Sequence, residues 1–140
     1  MKSINKVLIV GGGIGGQSAS IALRQIGIEV EIVELQPKFD VYGVGIIQQA
    51  NALRALDTLG CADEALRRGS PYPMVKMCTP TGHQIAEAGT PPIGRFPSHN
   101  GISRRILHDV LYEAAVKENV QFIMGTTVKN IDNQPNEVKI

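Results

Sequence analysis

A glycine-rich turn directly after a short apolar run carries the clearest chemistry in this sequence. Gly11, Gly13 and Gly16 follow the run VLIV at residues 7–10 in the spacing GxGxxG. In such a turn the first glycine allows the tight bend, the second lets a pyrophosphate approach the backbone, and the third lets a helix pack closely on a strand. The unpaired N–H groups that begin the helix attract phosphate oxygens. The spacing therefore predicts a binding site for the pyrophosphate of a dinucleotide.

The segments on either side of the turn must position it. Residues 7–10 predict a buried strand, and residues 30–34 predict a second strand that closes at Glu34. Between them, apolar residues recur on one face of a helix that ends at Gly27: Ala19, Ala22, Leu23 and Ile26. A carboxylate at Glu34 accepts hydrogen bonds from ribose hydroxyls and repels a 2′-phosphate. This order is the context that the motif requires; the alternative is a tight turn that binds no ligand.

Composition narrows the functional class. The 140 residues are 43% hydrophobic with a formal net charge of +1, so we expect one domain with a true core and no affinity for nucleic acid or a membrane surface. The apolar run 7–10 is too short for a signal peptide or a membrane span, and we expect a cytoplasmic protein. Cys61 and Cys78 lack ligand spacing and are interpreted as reduced, partly buried thiols. His83, His99 and His108 lack a second ligand or base at useful spacing, and we interpret them as ordinary polar or surface residues.

The middle of the chain predicts loops, helices and a hairpin. Residues 35–45 are expected to form a loop, and residues 46–60 contain a helix that ends at Gly60, with its apolar face on Ala52, Ala55, Leu56 and Leu59. A shorter helix spans Ala62 to Arg68, and its Arg67–Arg68 pair is interpreted as solvated. Most of the eight prolines lie between residues 70 and 101. Within that segment, residues 74–79 and 83–88 predict a hairpin, and residues 90–101 predict a loop. We interpret 70–101 as an excursion out of the nucleotide-binding sheet.

The last third predicts a helix, a strand and a second hairpin. Ser103 can cap a helix whose apolar stripe is Leu107, Val110, Leu111 and Ala114. Arg104 and Arg105 lie in its first turn, where a cation interacts unfavourably with the helix dipole. We therefore consider two interpretations: the arginines bind a phosphate group, or they are a solvated pair. Residues 120–124 predict a third strand that joins the first sheet, and residues 126–131 and 137–140 predict a hairpin around 133–136.

Several of these segments together resemble one protein family. They are Gly11 to Gly16, Glu34, the run GVGII at 43–47 with NALRAL at 51–56, and ISRRIL at 102–107. In this order they are similar to the N-terminal half of the FAD-dependent aromatic hydroxylases, flavoprotein monooxygenases such as p-hydroxybenzoate, salicylate and 3-hydroxybenzoate hydroxylases. The resemblance covers essentially all 140 residues. It implies an α/β, Rossmann-like βαβ FAD-binding fold with a parallel sheet and an inserted β-hairpin excursion, the front portion of a larger two-domain fold. Residues 1–140 would be the FAD-binding domain, with 70–101 extending toward the substrate domain.

The resemblance also implies cofactor contacts. Gly11, Gly13, Ile14, Gly15 and Gly16 would hold the FAD pyrophosphate, and Glu34 would take the adenosine ribose with Leu35 beside it. Gly45 and Ile46 would lie by the ribityl chain and ring edge, Arg104 (or Arg105, if the register slips) by the phosphate and ribityl region, and Val128 by the adenine. Leu35 and Ala50 depart from the family pattern, which often has a basic residue and a proline there. Family members are more than twice this long, and their later NAD(P)H and flavin motifs lie beyond residue 140.

The function that the resemblance implies is hydroxylation of an aromatic substrate. NAD(P)H would reduce FAD, and reduced FAD would take O₂ to form a C4a-hydroperoxide that transfers one oxygen atom to the ring. We find no catalytic acid–base pair or nucleophile in the sequence, in keeping with flavin-centred chemistry. The alternative is a non-catalytic FAD- or ADP-binding module that lacks the substrate half. An NAD-dependent dehydrogenase is less favoured because the sequence offers no catalytic base or substrate clamp. An exposed sheet edge would favour a homo-oligomer.

Overall fold

The computed structural model of the chain describes residues 4–40, 43–134 and 137–140. Its elements in chain order are β1 Lys6–Val10, α1 Ile14–Gln25, β2 Glu29–Glu34, β3 Gly45–Gln49, α2 Ala50–Thr58, α3 Ala62–Arg68, β4 Ser70–Tyr72, β5 Val75–Cys78, β6 Gln84–Ala88, β7 His99–Ser103, α4 Arg104–Lys117, β8 Gln121–Met124, β9 Asp132–Asn133 and β10 Val138–Lys139. The chain divides into two compact units, one made of Met1–Asp40 with Leu111–Ile140 and the other of Val41–Val110.

The first unit contains the predicted parallel sheet, in the order β1-β2-β8. Val7 lies opposite Val30 and Ile9 opposite Ile32, and Ile32 in turn lies opposite Phe122. Parallel strands need a crossover between them, and α1 supplies it between β1 and β2. The helix stops where the glycine predicted, because Gly27 N–H donates to Arg24 O at 2.9 Å. The βαβ unit and the parallel sheet are confirmed.

The buried face of α1 differs from the prediction. Gln17, Ser20 and Ile21 are buried, whereas Ala19 and Ala22 are exposed and Ile26 is 71% exposed. Ser20 can be buried because its hydroxyl donates to Gln17 O at 2.7 Å, which satisfies the polar group within the helix. Periodicity of small apolar residues was therefore a poor guide to this face.

The second unit contains an antiparallel sheet that the sequence did not predict, in the order β3-β7-β4. Residues 45–49 form a strand rather than loop and helix, residues 99–101 belong to β7 rather than a loop, and β4 was not expected. Gln48 pairs with Asn100 across a long sequence separation, so local patterns carried little signal for these strands. The predicted hairpin is confirmed as β5 and β6, with an irregular register between Met77 and Cys78.

Helices α2 and α3 bury apolar residues of the second unit. The buried positions of α2 are Ala50, Leu53 and Leu56. Leu56 is therefore buried as predicted, whereas Ala52 and Ala55 are exposed and the prediction was wrong for them. The α2 stop is confirmed, because Gly60 N–H donates to Asp57 O at 2.9 Å. The bounds predicted for α3 are also confirmed.

The N-terminal cap of α4 is confirmed, because Ile106 N–H donates to Ser103 Oγ at 3.1 Å. Leu107, Val110 and Leu111 are buried as predicted, together with Ala115 rather than the half-buried Ala114. Near the end of the described residues, β9 and β10 pair antiparallel over two residues each. The later strand of this hairpin lies within the predicted 137–140, but the earlier strand predicted at 126–131 is wrong, because it forms at Asp132–Asn133 instead. Residues 41, 42, 135 and 136 of the predicted loops lie outside the described residues.

Candidate cofactor-binding site

The glycine turn joins β1 to α1, and it requires glycine at residues 11 and 16 for different reasons. Gly11 has φ +104°, a conformation that favours glycine, and its N–H donates to Val33 O at 2.8 Å. A Cβ on Gly16 would press against the Gly11 carbonyl oxygen and stand 3.3 Å from Ile9 Cγ2. The first glycine therefore makes the bend and the third lets α1 pack on β1, as the spacing predicted.

The N-terminus of α1 is open to an anion. Its N-cap residue is Gly13, which makes no side-chain capping hydrogen bond, and the first turn holds no acidic residue. A Cβ on Gly13 or Gly15 would meet no atom within 4 Å. The first N–H groups of a helix have no partner within the helix and lie at the positive end of its dipole. Gly13, Ile14 and Gly15 thus form a backbone cradle that fits a pyrophosphate.

Glu34 lies at the end of β2, where its carboxylate is held by two backbone groups. Gly12 N–H donates to Glu34 Oε2 at 2.8 Å, and Gln36 N–H donates to Oε1 at 2.9 Å. An ionised carboxylate offers about four lone-pair sites, so it can accept further hydrogen bonds from hydroxyl groups. The structure therefore brings the predicted acid to the glycine turn, as a ribose contact requires.

Two residues at this turn, Gly12 and Phe39, were not predicted from the sequence. A Cβ on Gly12 would lie 2.7 Å from Phe39 Cε1 and 3.5 Å from Glu34 Oε2, so Phe39 and Glu34 both border this glycine. The extra glycine within the motif was the available signal for Gly12. Phe39 stands in a polar loop, and nothing in its spacing marks it. Of the two predicted adenosine-side residues, Leu35 is exposed and Val128 is half-buried.

The second unit holds the other predicted residues. Gly45 and Ile46 begin β3 and pair with Ser103 and Ile102 of β7. Arg104 begins α4, and its backbone N–H donates to Val44 O at 3.4 Å. Gly43 has φ +126°, and a Cβ there would lie 3.0 Å from Arg104 Cδ. The aliphatic stem of Arg104 therefore packs over Gly43. Arg104 and Arg105 are both exposed.

Glu64 and Cys61 have shifted pKa values with structural causes. The pKa of Glu64 is lowered to about 2 by hydrogen bonds from Arg67 and Arg68, an ion-pair network on α3. Burial raises the pKa of the Cys61 thiol, so it stays protonated and is a weak nucleophile. Within residues 4–40, 43–134 and 137–140, no group of histidine, cysteine and acidic residues could hold a metal ion. His99 and His108 are buried and His83 is exposed, so only His83 is a surface histidine.

Comparison with known proteins identifies the family of this chain. The family described as FAD binding domain matches residues 5–140. The chain belongs to the FAD binding domain family. The resemblance inferred from the sequence is confirmed, and the cofactor of this family fold is FAD.

Proteins similar to this chain are named monooxygenases and hydroxylases. The chain is 33% identical over 140 residues to aurachin C monooxygenase/isomerase of Stigmatella aurantiaca, and the matched region covers 96% of this chain and 35% of that protein. It is 32% identical over 142 residues to 3-hydroxybenzoate 6-hydroxylase 1 of Aquipseudomonas alcaligenes, covering 96% of this chain and 36% of that one. The chain therefore spans about a third of the length of these relatives.

Solved structures support the fold. The structure of p-nitrophenol 4-monooxygenase from Pseudomonas putida DLL-E4 matches with a TM-score of 0.84 and 22% identity, over 99% of this chain and 36% of that chain. Because that identity is low, the match speaks for the fold alone. A structure of 2-methyl-3-hydroxypyridine-5-carboxylic acid oxygenase matches with a TM-score of 0.74 and 26% identity, over 88% of this chain and 32% of that chain. None of the helices among the described residues is both long and apolar enough to cross a membrane.

Proposed function

We propose that this chain is the FAD-binding portion of an NAD(P)H-dependent monooxygenase that hydroxylates an aromatic substrate. The observation that carries the proposal is the uncapped N-terminus of α1 beside the held carboxylate of Glu34. One end of this arrangement suits a pyrophosphate and the other a ribose. The names of the relatives, monooxygenase and 3-hydroxybenzoate 6-hydroxylase, supply the reaction class.

Each predicted residue has a place in this proposal. The backbone N–H groups of Gly13, Ile14 and Gly15 would hold the pyrophosphate, with Gly11 and Gly16 shaping the turn. Glu34 would accept hydrogen bonds from the adenosine ribose, and Leu35 and Val128 would face the adenine side. That list is completed by Gly45 and Ile46 for the ribityl chain and ring edge, and by Arg104 for the phosphate and ribityl region.

Bound FAD would supply electron transfer from NAD(P)H and the activation of O₂ for transfer of one oxygen atom to the aromatic ring, by the route that the sequence resemblance implies. The residues of this chain would bind and orient the cofactor through backbone N–H groups, Glu34 and Arg104. Such preorganised contacts are how a protein contributes to cofactor chemistry. In this proposal the enzyme is cytoplasmic and its other partners are small molecules. It forms homo-oligomers, which sedimentation analysis would test.

The first test is titration of the purified chain with FAD, followed by flavin absorbance and fluorescence. We expect the spectrum of a bound flavin. Glu34→Ala should weaken binding about tenfold or more, because it removes hydrogen bonds to a charged acceptor. Glu29→Ala is the matched control, since Glu29 is a carboxylate at the opposite end of the same strand and pairs with Lys6. Equal affinities of both variants would remove Glu34 from the site.

A second pair of variants tests the arginine assignment. Arg104→Ala should lower FAD affinity more than Arg105→Ala, because Arg104 is the one whose stem packs over Gly43. Both arginines are exposed in the first turn of α4, so the two changes are otherwise similar. The reverse order would mean that Arg105 makes the contact.

Turnover distinguishes the enzyme from the alternative of a non-catalytic FAD- or ADP-binding module. The chain loaded with FAD is mixed with NADH or NADPH and 3-hydroxybenzoate in air. Hydroxylated product identified by mass spectrometry would support catalysis by this chain. Tight FAD binding without product would favour the binding module and would assign catalysis to a longer protein.

A further inference from the structure

Phe39 lies against the backbone of Gly12 within the first unit. A Cβ placed on Gly12 would be 2.7 Å from Phe39 Cε1, closer than real Cβ atoms pack, and 3.0 Å from Phe39 Cζ. Gly12 is buried, and it is not among the glycines with positive φ. Its backbone conformation would therefore accept alanine. What excludes a side chain at residue 12 is the edge of the phenyl ring.

The same glycine donates its N–H to the carboxylate of Glu34. The Gly12 N to Oε2 distance is 2.8 Å, and the carboxylate's other oxygen accepts from Gln36 N–H at 2.9 Å. Hydrogen bonds to a charged acceptor are shorter and stronger than neutral ones and favour one orientation of the acceptor. The phenyl ring and the carboxylate therefore meet the same short piece of backbone.

Phe39 is itself held by two aromatic rings. Its ring centroid is 5.4 Å from that of Tyr112 on α4 and 5.8 Å from that of Phe122 on β8, both in edge-to-face geometry. Tyr112 and Phe122 are 4.9 Å apart, which closes the triangle. Aromatic pairs at these separations are stabilising and constrain the ring orientation. The loop after β2 is thus anchored to α4 and β8 at the point where it reaches Gly12.

We propose that Phe39 is a positioning residue for the adenosine end of the cofactor. Its ring, held by Tyr112 and Phe122, confines the Gly12 backbone so that the Gly12 N–H stays on Glu34 Oε2. The carboxylate is then presented to ribose hydroxyls in one orientation. This inference rests on the proposed function, because it assumes that Glu34 binds the ribose.

The test compares ADP with 2′-deoxy-ADP by calorimetry, using the full 140-residue chain and its Phe39→Leu variant. Leucine keeps the site apolar and removes the ring edge. We expect Phe39→Leu to weaken ADP binding about tenfold, the size of one lost charge-assisted hydrogen bond. Binding of 2′-deoxy-ADP should change less than ADP binding does, because that ligand lacks the 2′-hydroxyl and offers Glu34 one ribose hydroxyl fewer.

Phe122→Leu is the matched control for loss of aromatic packing. It removes a ring from the same triangle, whereas the atoms nearest to Gly12 belong to Phe39 and Glu34. We expect Phe122→Leu to lower the melting temperature and to reduce the ratio of ADP to 2′-deoxy-ADP affinity less than Phe39→Leu does, because Tyr112 still holds the Phe39 ring.

A ligand-free measurement tests the contact directly. In Phe39→Leu, hydrogen exchange of the Gly12 N–H should accelerate about tenfold as its bond to Glu34 loosens. The Gly11 N–H is the internal control, because it donates to Val33 O at 2.8 Å and should stay protected. A general loss of structure would accelerate both amides.

The outcomes separate this inference from the proposed function. If wild type prefers ADP over 2′-deoxy-ADP and Phe39→Leu removes that preference, the positioning role stands. If the variant keeps both the preference and slow Gly12 exchange, the positioning role is overturned while the cofactor site stands. If the wild type binds neither FAD nor ADP, the proposed function fails and the inference fails with it.

Discussion

Two glycines one residue apart in α1 should respond to alanine in opposite ways. Gly15 and Gly16 both lie in the first turn, and neither has a positive φ, so alanine is compatible with the backbone at each. A Cβ on Gly15 would meet no atom within 4 Å, whereas a Cβ on Gly16 would stand well inside 3.0 Å of the Gly11 carbonyl oxygen. We expect Gly15→Ala to impair FAD binding and Gly16→Ala to impair folding.

The magnitudes follow from these surroundings. Gly15→Ala replaces a poor helix former and should stabilise the chain by up to about 0.5–1 kcal/mol. Gly16→Ala forces α1 away from β1 and should cost about 3 kcal/mol, the upper range for overpacking. For a chain of this size each kcal/mol corresponds to roughly 2–4 °C in melting temperature. At the cradle, the Gly15 methyl would displace one phosphate hydrogen bond of about 1.5–3 kcal/mol, so FAD affinity should fall by about 10- to 150-fold.

The assay combines thermal unfolding without ligand and FAD titration for wild type, Gly15→Ala and Gly16→Ala. Ligand-free melting separates the folding effect from the binding effect, because bound cofactor would itself raise the melting temperature. A drop of several degrees in Gly15→Ala would show that the space beside it is filled. Unchanged FAD affinity in a well-folded Gly15→Ala would refute the assignment of this cradle to the pyrophosphate.

Three further results are expected. Asn100 is fully buried, and its side-chain amide donates to Gln48 Oε1 at 2.8 Å and to Ala65 O at 3.1 Å. Asn100→Ala would remove both donors, so we expect the free energy of unfolding in urea to fall by about 2–4 kcal/mol. A decrease below about 0.5 kcal/mol would contradict this prediction. The folded-state pKa of Glu64, about 2, lies below its ordinary value of 4.5, so its stabilising contribution is present above about pH 4.5 and is lost as the pH falls toward 2. As the pH is lowered over that range, the melting temperature of Glu64→Gln should therefore fall less steeply than that of the wild type. Parallel curves of melting temperature against pH would show that the Glu64 ion pairs do not contribute to stability. A maleimide reagent should label the exposed Cys78 rapidly and the buried, high-pKa Cys61 only on unfolding, which mass spectrometry of the labelled peptides would check.

Local signals in the sequence were sufficient for the elements whose physics is local. The spacing of Gly11, Gly13 and Gly16 predicted the strand, turn and helix because each glycine answers a steric need within a few residues. Gly27 and Gly60 marked helix ends, and Ser103 marked a helix start, through hydrogen bonds to backbone groups nearby in sequence. The order strand, helix, strand was sufficient to predict that Glu34 lies beside the glycine turn.

Tertiary structure alone decided the features that depend on distant partners. Strand β3 forms because its residues pair with β7, with Gln48 opposite Asn100. The sequence of residues 45–49 does not indicate that pairing partner. The buried face of α1 is set by what lies against it, so the half-polar face of Gln17, Ser20 and Ile21 is buried while Ile26 is exposed.

Phe39 shows the same limit at the candidate site. The contacts of Phe39 with Gly12 and Phe122 bring together three segments that are far apart in the sequence. No repeating sequence pattern predicts these contacts. The sequence by itself therefore determined the glycine turn and the acid at the end of the second strand, which the folded chain brings together. Only the folded chain determined how the Gly12 backbone between them is held, because that depends on packing across the sheet and α4.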